Sequence, residues 1–149
     1  MERTLILAKP DAVQRGLIGD VIARFERRGL QIVGLKLMRV SALLAREHYK
    51  EHVGKPFFKP LVEYITSTPV AAMVVEGPAA VEICRTTIGA TNPVGASPGS
   101  IRGDFGVQVG RNLVHGSDSV KSAKREIKLF FKASELVDYK RASQRWITE

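Results

Sequence analysis

Pro69-Val70-Ala71-Ala72-Met73-Val74-Val75, closed by Gly77-Pro78 and followed by a helix through Val81, Ile83 and Cys84 to Gly89, decides how this chain folds. The uncharged run is too short to cross a bilayer and too apolar for a surface, so it reads as a buried strand. Pro78 opens the helix, where a missing N–H costs nothing, and Gly89 stops it. The same order occurs near the N-terminus. Leu5-Ile6-Leu7-Ala8 is a second buried strand ended by Pro10, and Ile18, Val21, Ile22 and Phe25 then recur at i, i+3, i+4 and i+7 up to Gly29. Residues 30–40 follow as a long strand, with Val33, Leu35 and Leu37 on one face and Gly34 and Lys36 on the other.

Between these two strand-helix units lie two helices. Ser41 caps one running through Leu43, Leu44 and Tyr49, and Pro60 begins another through Val62 and Ile65. A last apolar pair, Leu113-Val114, precedes His115, and a final helix carries Ala123, Ile127, Phe130 and Phe131 on one stripe. Two right-handed split crossovers of this kind fit one four-stranded antiparallel sheet covered by helices, a ferredoxin-like α+β sandwich. Residues 1–149 form one domain, with no repeat, low-complexity tract or linker. The segment 89–110 exceeds the roughly 12–15 residues of a plain loop, and it holds Thr91, Arg102 and Asp104 among glycines and prolines. An ordered ligand-binding loop is the expected form.

The formal charge of +8 favours anionic partners but does not choose between nucleic acid and phosphorylated metabolites. The strands 5–8 and 70–75 carry no aromatic side chain on which an RNA base could stack, so nucleic-acid binding is at most secondary. One cysteine, Cys84, excludes an internal disulfide and fits a reducing cytoplasmic setting. The N-terminal residues lack the pattern of a secretory signal, and no apolar run is long enough for a membrane span.

Asn112-Leu113-Val114-His115-Gly116-Ser117-Asp118 sets an imidazole at a strand end, before a glycine and two polar residues. A lone histidine is more often structural than catalytic. Glu126, however, falls one turn from Ala123 and Phe130 on the inward edge of the next helix, where a carboxylate wants a partner. A carboxylate that holds one ring nitrogen leaves the other free as a nucleophile, and the Ser117 hydroxyl can brace the pair. On spacing alone Glu126 serves equally well in a surface salt bridge. No P-loop or G-x-G-x-x-G is present, yet Lys9, Arg85 and Arg102 can converge on phosphoryl oxygens.

Lys9-Pro10-Asp11, Ser97-Pro98-Gly99-Ser100-Ile101-Arg102-Gly103-Asp104 and the run 112–118 together resemble the nucleoside diphosphate kinase family over essentially the whole chain. The resemblance implies a ping-pong reaction in which His115 takes the γ-phosphoryl group of a nucleoside triphosphate, usually ATP, and gives it to another diphosphate. It implies phosphate contacts from Lys9, Tyr49, Arg85, Thr91 and Arg102, sugar contacts from Asn112 and Lys9, and a base sandwiched by Phe57 and Val109. Stacking of that kind suits broad base specificity. His52 aligns with a phosphate-contacting histidine of some members. Mg²⁺ enters on the nucleotide's phosphates, with Asp118 reaching its shell through water and no dedicated metal ligand. Members assemble as hexamers or tetramers, and the loop with Pro93 and the C-terminal length resemble the hexameric ones. Ala12 and Ser100 stand where the family more often has glycine and threonine.

Overall fold

The computed structural model, covering residues 1–149, contains one antiparallel sheet. The strands β1 (Glu2–Ala8), β2 (Gln31–Met38), β3 (Val70–Gly77) and β4 (Val114–Gly116) lie in the order β2-β3-β1-β4. Each pairs antiparallel with its neighbour, so the two β-α-β units interleave as a ferredoxin-like sheet requires. β1 and β3 are central and buried on both faces, which is why they read as unbroken apolar runs.

Alternation along β1 sends Ile6 and Ala8 to one face and Leu5 and Leu7 to the other. The first face packs with Met73 and Val75 against Val21 and Phe25 of a helix, α2 (Ile18–Arg27), and Cys84 and Ile88 of another, α5 (Ala80–Ile88). The second packs with Val70, Ala72 and Val74 against Ala45 of α3 (Ala42–His48), Ile65 of α4 (Phe58–Ser67), and Phe130 of α7 (Val120–Phe130). Ser41 caps α3 through the Leu44 N–H at 3.1 Å, and Gly89 ends α5 at φ 94°. Helices therefore cover both faces of the sheet.

Three local expectations are corrected. Pro10 ends β1 but also sits at the first position of a short helix, α1 (Pro10–Gln14), because its fixed φ suits either use. α4 begins at Phe58 and α5 at Ala80, each slightly displaced from the proline read as its start. In β2 a bulge between Ile32 and Gly34 breaks the alternation that puts Val33, Leu35 and Leu37 on one face. Val33 is buried, whereas Leu35 and Leu37 pair with Met73 and Ala71 on the opposite face and are 54% and 65% exposed.

The segment 89–110 is ordered, as expected. It has a 3₁₀ turn at Pro93–Gly95, a short helix α6 (Ile101–Phe105) capped by Ser100, and then a 3₁₀ turn at Val109–Arg111 that leads into β4. Gly103 is required there: a Cβ on it would lie 2.0 Å from the Ser97 carbonyl oxygen. Arg24 on α2 fastens the segment from outside, donating to the Gly99 carbonyl at 2.7 Å and the Asp104 carboxylate at 2.6 Å.

Candidate functional site

His115 lies in the middle of β4, opposite Leu7 of β1, and not at the strand end read from the sequence. β4 begins one residue later than expected because Leu113 turns sharply, with φ 73° and a 2.8 Å bond from the Val114 N–H to the Asn112 carbonyl. That is a γ-turn in its rarer, positive-φ form, and such conformations cost on the order of 1–3 kcal/mol in a residue other than glycine. The surrounding bonds hold it. The Leu113 amide donates to Asp11 Oδ2 at 3.0 Å, and its carbonyl accepts from the Lys9 amide at 2.8 Å.

Across the sheet face, α7 brings Glu126 to the imidazole. His115 Nε2 and Glu126 Oε1 are 2.6 Å apart, and the Ser117 hydroxyl donates to the same oxygen at 2.9 Å. Burial pushes the Glu126 carboxyl up, but the bond and charge of His115, with His48 and Ser117, outweigh it and leave the carboxyl below its ordinary range. An ionised carboxylate only accepts, so Nε2 carries the hydrogen and Nδ1 keeps its lone pair. The pair was legible as a possibility, and its geometry is that of an oriented nucleophile.

Beside it is a group of buried cations. Lys9, 9% exposed, donates its ammonium to Asn112 Oδ1, and the Asn112 amide donates to the Thr91 carbonyl at 2.9 Å. Burial, and then the charge of Arg102, lowers the Lys9 pKa to about 8. Arg102, 6% exposed, donates Nε to the Asn112 carbonyl at 3.1 Å, Nη1 to the Gly89 carbonyl at 3.1 Å and Nη2 to the Val114 carbonyl at 2.6 Å. Three of its five N–H donors thus brace the backbone around β4, and two remain for a ligand. Burial, then the nearby Arg85, brings its pKa down to about 10. Arg85 itself is exposed and reaches the Gly116 carbonyl at 3.4 Å. Cations crowded enough to depress one another form a site made for a polyanion.

The wall opposite is aromatic. From His115 the ring centroids run to His48 at 4.8 Å, from His48 to Tyr49 at 4.5 Å, from Tyr49 to His52 at 6.2 Å, and from His52 to Phe57 at 5.1 Å. Phe57 is half exposed, as is Val109 in its 3₁₀ turn. Phe57 is linked to His115 through that chain of rings, and Val109 sits in the turn that leads into β4.

His48 was not singled out in the sequence. Its ring is buried edge-on to His115 and to Phe130, burial and the neighbouring His115 lower its pKa to about 3, and neither of its nitrogens has a partner. The only signal was its place at the end of a capped helix, directly before Tyr49. His48, His115 and Glu126 gather three potential metal donors within 4.8 Å, but the 2.6 Å bond between the latter two closes the space an ion would need between them. A cavity of about 850 Å³ is lined by Arg24, Arg27, Arg28, Arg85 and Thr91, and His115 is not among its lining residues.

The family model for nucleoside diphosphate kinase matches residues 2–136. A nucleoside diphosphate kinase of Pelotomaculum thermopropionicum is 59% identical over 149 residues and covers all of both chains. One from Archaeoglobus fulgidus is 58% identical over 149 residues, covering 100% of this chain and 99% of that one. Among solved structures, a halophilic nucleoside diphosphate kinase from Halobacterium salinarum in complex with CDP superposes with a TM-score of 0.97 at 53% identity, over 99% of each chain.

Proposed function

The chain belongs to the nucleoside diphosphate kinase family, and from that premise we propose that His115 is the residue on which the phosphoryl group rides between nucleotides. The family's reaction is a transfer of the γ-phosphoryl group from a nucleoside triphosphate to a nucleoside diphosphate through a phosphohistidine, with little regard for the base. The observation that carries the assignment is the 2.6 Å bond from Glu126 to His115 Nε2, braced by Ser117, which leaves Nδ1 as the nucleophile.

In the first half-reaction Nδ1 attacks the γ-phosphorus in line, the bond to the β,γ-bridging oxygen breaks, and the nucleoside diphosphate departs with the electron pair. Glu126 stabilises the positive charge that grows on the imidazole. Lys9, Arg85 and the two spare donors of Arg102 offset the charge on the phosphoryl and leaving oxygens, with Tyr49 and Thr91 on the remaining phosphates. The second half-reaction reverses these steps with another diphosphate as acceptor. Asn112 and Lys9 hold the sugar, and Phe57 and Val109 stack on the base at the rim. Mg²⁺ is a hard, oxygen-seeking ion, which fits a phosphate chain better than the nitrogen-rich His48 cluster, and Asp118, exposed and ionised, is available to its water shell. When bound it neutralises phosphate charge.

The exposed Leu35 and Leu37 on the edge strand β2, together with Trp146 at 79% exposure, support assembly with further copies of the chain, and the number six rests on the likeness of the Pro93 loop and C-terminal length to hexameric family members. A mass of four subunits in dilute solution would overturn that number. Cys84 is buried and unpaired, and no helix is long and apolar enough to cross a membrane, which supports a cytoplasmic enzyme. Nucleic acid remains at most a secondary partner.

The test is incubation with γ-labelled ATP and Mg²⁺ followed by a GDP chase, beside a His115→Ala control. Acid-labile label that forms on the protein, passes to GDP and is lost in the control is the expected result. Equal labelling of the control would remove His115 from the reaction.

A further inference from the structure

Asp11 stands in the first turn of α1 and has no part in the chemistry described so far, yet both of its carboxylate oxygens are engaged. One accepts the hydroxyl of Tyr64 on α4, and the other accepts the Leu113 amide at 3.0 Å. That amide belongs to the γ-turn two residues before His115. Tyr64 is in turn covered by the Arg111 guanidinium, 4.5 Å from the ring centroid, and by Lys9 Nζ at 5.5 Å.

β4 is only three residues long and pairs with β1 alone, so its direction depends on what holds its entry. Arg102 holds the carbonyls of Asn112 and Val114 from one side, and Lys9 holds the Leu113 carbonyl. The amide of the strained residue has only Asp11. Without it, a buried N–H would lack a partner and the turn would lose the contact that favours positive φ over the ordinary extended backbone.

We propose that Asp11, fixed by Tyr64, is a positioning residue that holds the Leu113 turn and thereby aims the His115 ring at the phosphoryl group. The inference rests on the reading of His115 as the phosphoryl carrier. Asp11 makes no direct contact with the imidazole, but its charge also supports the protonated Lys9 and Arg102, so Asp11→Asn, which removes the charge and keeps an acceptor, separates that effect from the hold on Leu113. A misplacement of about 1 Å at a reacting centre costs roughly 100-fold in rate.

The experiment is rapid-quench labelling of the full chain with γ-labelled ATP and Mg²⁺, with ADP affinity measured in parallel by calorimetry. It is run on wild-type, Asp11→Ala, Asp11→Asn and Tyr64→Phe. Asp11→Ala is expected to label roughly 100-fold more slowly with ADP affinity within about threefold of wild-type. Asp11→Asn, whose amide oxygen can still accept from Leu113, recovers most of the rate, and Tyr64→Phe falls between.

Should Asp11→Ala fail to fold, Tyr64→Phe decides: slower labelling with affinity intact supports the proposal, and an unchanged rate overturns it. A folded Asp11→Ala protein with wild-type labelling and only a lower Tm would reduce Asp11 to a structural role. Equal loss in the Ala and Asn variants would mean that the charge acts and not the bond to Leu113, and parallel loss of rate and affinity would mean collapse of the whole site; either overturns the proposal. Wild-type protein that takes no label at all would instead refute the reading of His115 beneath it.

Discussion

Replacing Glu126 by Gln isolates the charge of the carboxylate from its shape. Glu126 is 4% exposed, and its Oε1 receives both His115 Nε2 at 2.6 Å and Ser117 Oγ at 2.9 Å, so the amide oxygen of Gln can keep those contacts while the negative charge is lost. A hydrogen bond to a charged group contributes about 1.5–3 kcal/mol, and here that contribution grows as the imidazole becomes cationic on attacking phosphorus. Loss of that amount from the transition state slows labelling by about 10- to 150-fold. The assay is single-turnover rapid quench with γ-labelled ATP, with ADP affinity as the control for binding. Stability supplies a second reading. The folded carboxyl is held below its ordinary range, so its stabilising contribution is full above the unfolded pKa and is lost as pH falls through the folded one. Any gap in Tm between wild-type and Glu126→Gln should therefore narrow on acidification. A folded variant that labels within twofold of wild-type would refute the claim that the carboxylate activates His115.

Three further outcomes are expected. With the Lys9 pKa near 8, free protein above that pH lacks a proton that bound phosphates restore, so ADP affinity should weaken as pH rises from 8, by up to about tenfold per unit. Lys9→Arg stays protonated and should flatten this profile in calorimetry; an unchanged slope would exclude Lys9 as its source. His48 has two unpartnered buried nitrogens, so His48→Phe should label within about threefold of wild-type and hold or raise Tm, while His48→Ala costs about 2–4 kcal/mol through the cavity left beside His115 and Phe130. A phenylalanine variant as damaged as the alanine one would show that the ring nitrogens matter. Gly103→Ala sets a Cβ 2.0 Å from the Ser97 carbonyl, forces the backbone beside Arg102 to move, and should lower Tm by roughly 5 °C or more; an unaltered melt would show that the segment yields freely.

The fold was legible where burial is complete. β1 and β3 are buried on both faces along their apolar runs, so those runs have no other reading, and Ser41 at the start of α3 and Gly89 at the end of α5 mark their helices by local chemistry. β2 misleads because a bulge is a property of its pairing with β3: nothing in Ile32-Val33-Gly34 alone says that Leu35 changes face. Pro10 is ambiguous for a related reason, since one residue can end a strand and start a helix. In the site, the inward stripe of α7 made Glu126 a candidate partner for His115 but left a surface salt bridge equally open, and the 2.6 Å bond to Nε2 decides between them. Asp11 could not be tied to Leu113, because 102 residues separate them and leucine has no preference for positive φ. Arg102 was expected among the phosphate donors; that most of its hydrogen bonds hold the backbone around His115 is visible only in three dimensions.

Burial along the proposed nucleotide path accounts for what such a site reads and what it ignores. At the inner end Lys9, Arg102 and Glu126 are all at least nine-tenths buried, where a charge is poorly screened and cannot be satisfied by water. Burial lowers the pKa of both Lys9 and Arg102, so holding them charged has a cost that a chain of phosphates on the proposed path would offset. Binding energy is therefore concentrated on the part of the substrate whose charge is redistributed during the reaction, where it accelerates the chemistry. At the outer end Phe57 and Val109 are half exposed. Water there satisfies the hydrogen-bonding edge of any base, while an apolar face can cover any ring without reading that edge. If the base rests there, as proposed, indifference to its identity follows from that place and requires no flexibility in the groups that handle phosphate.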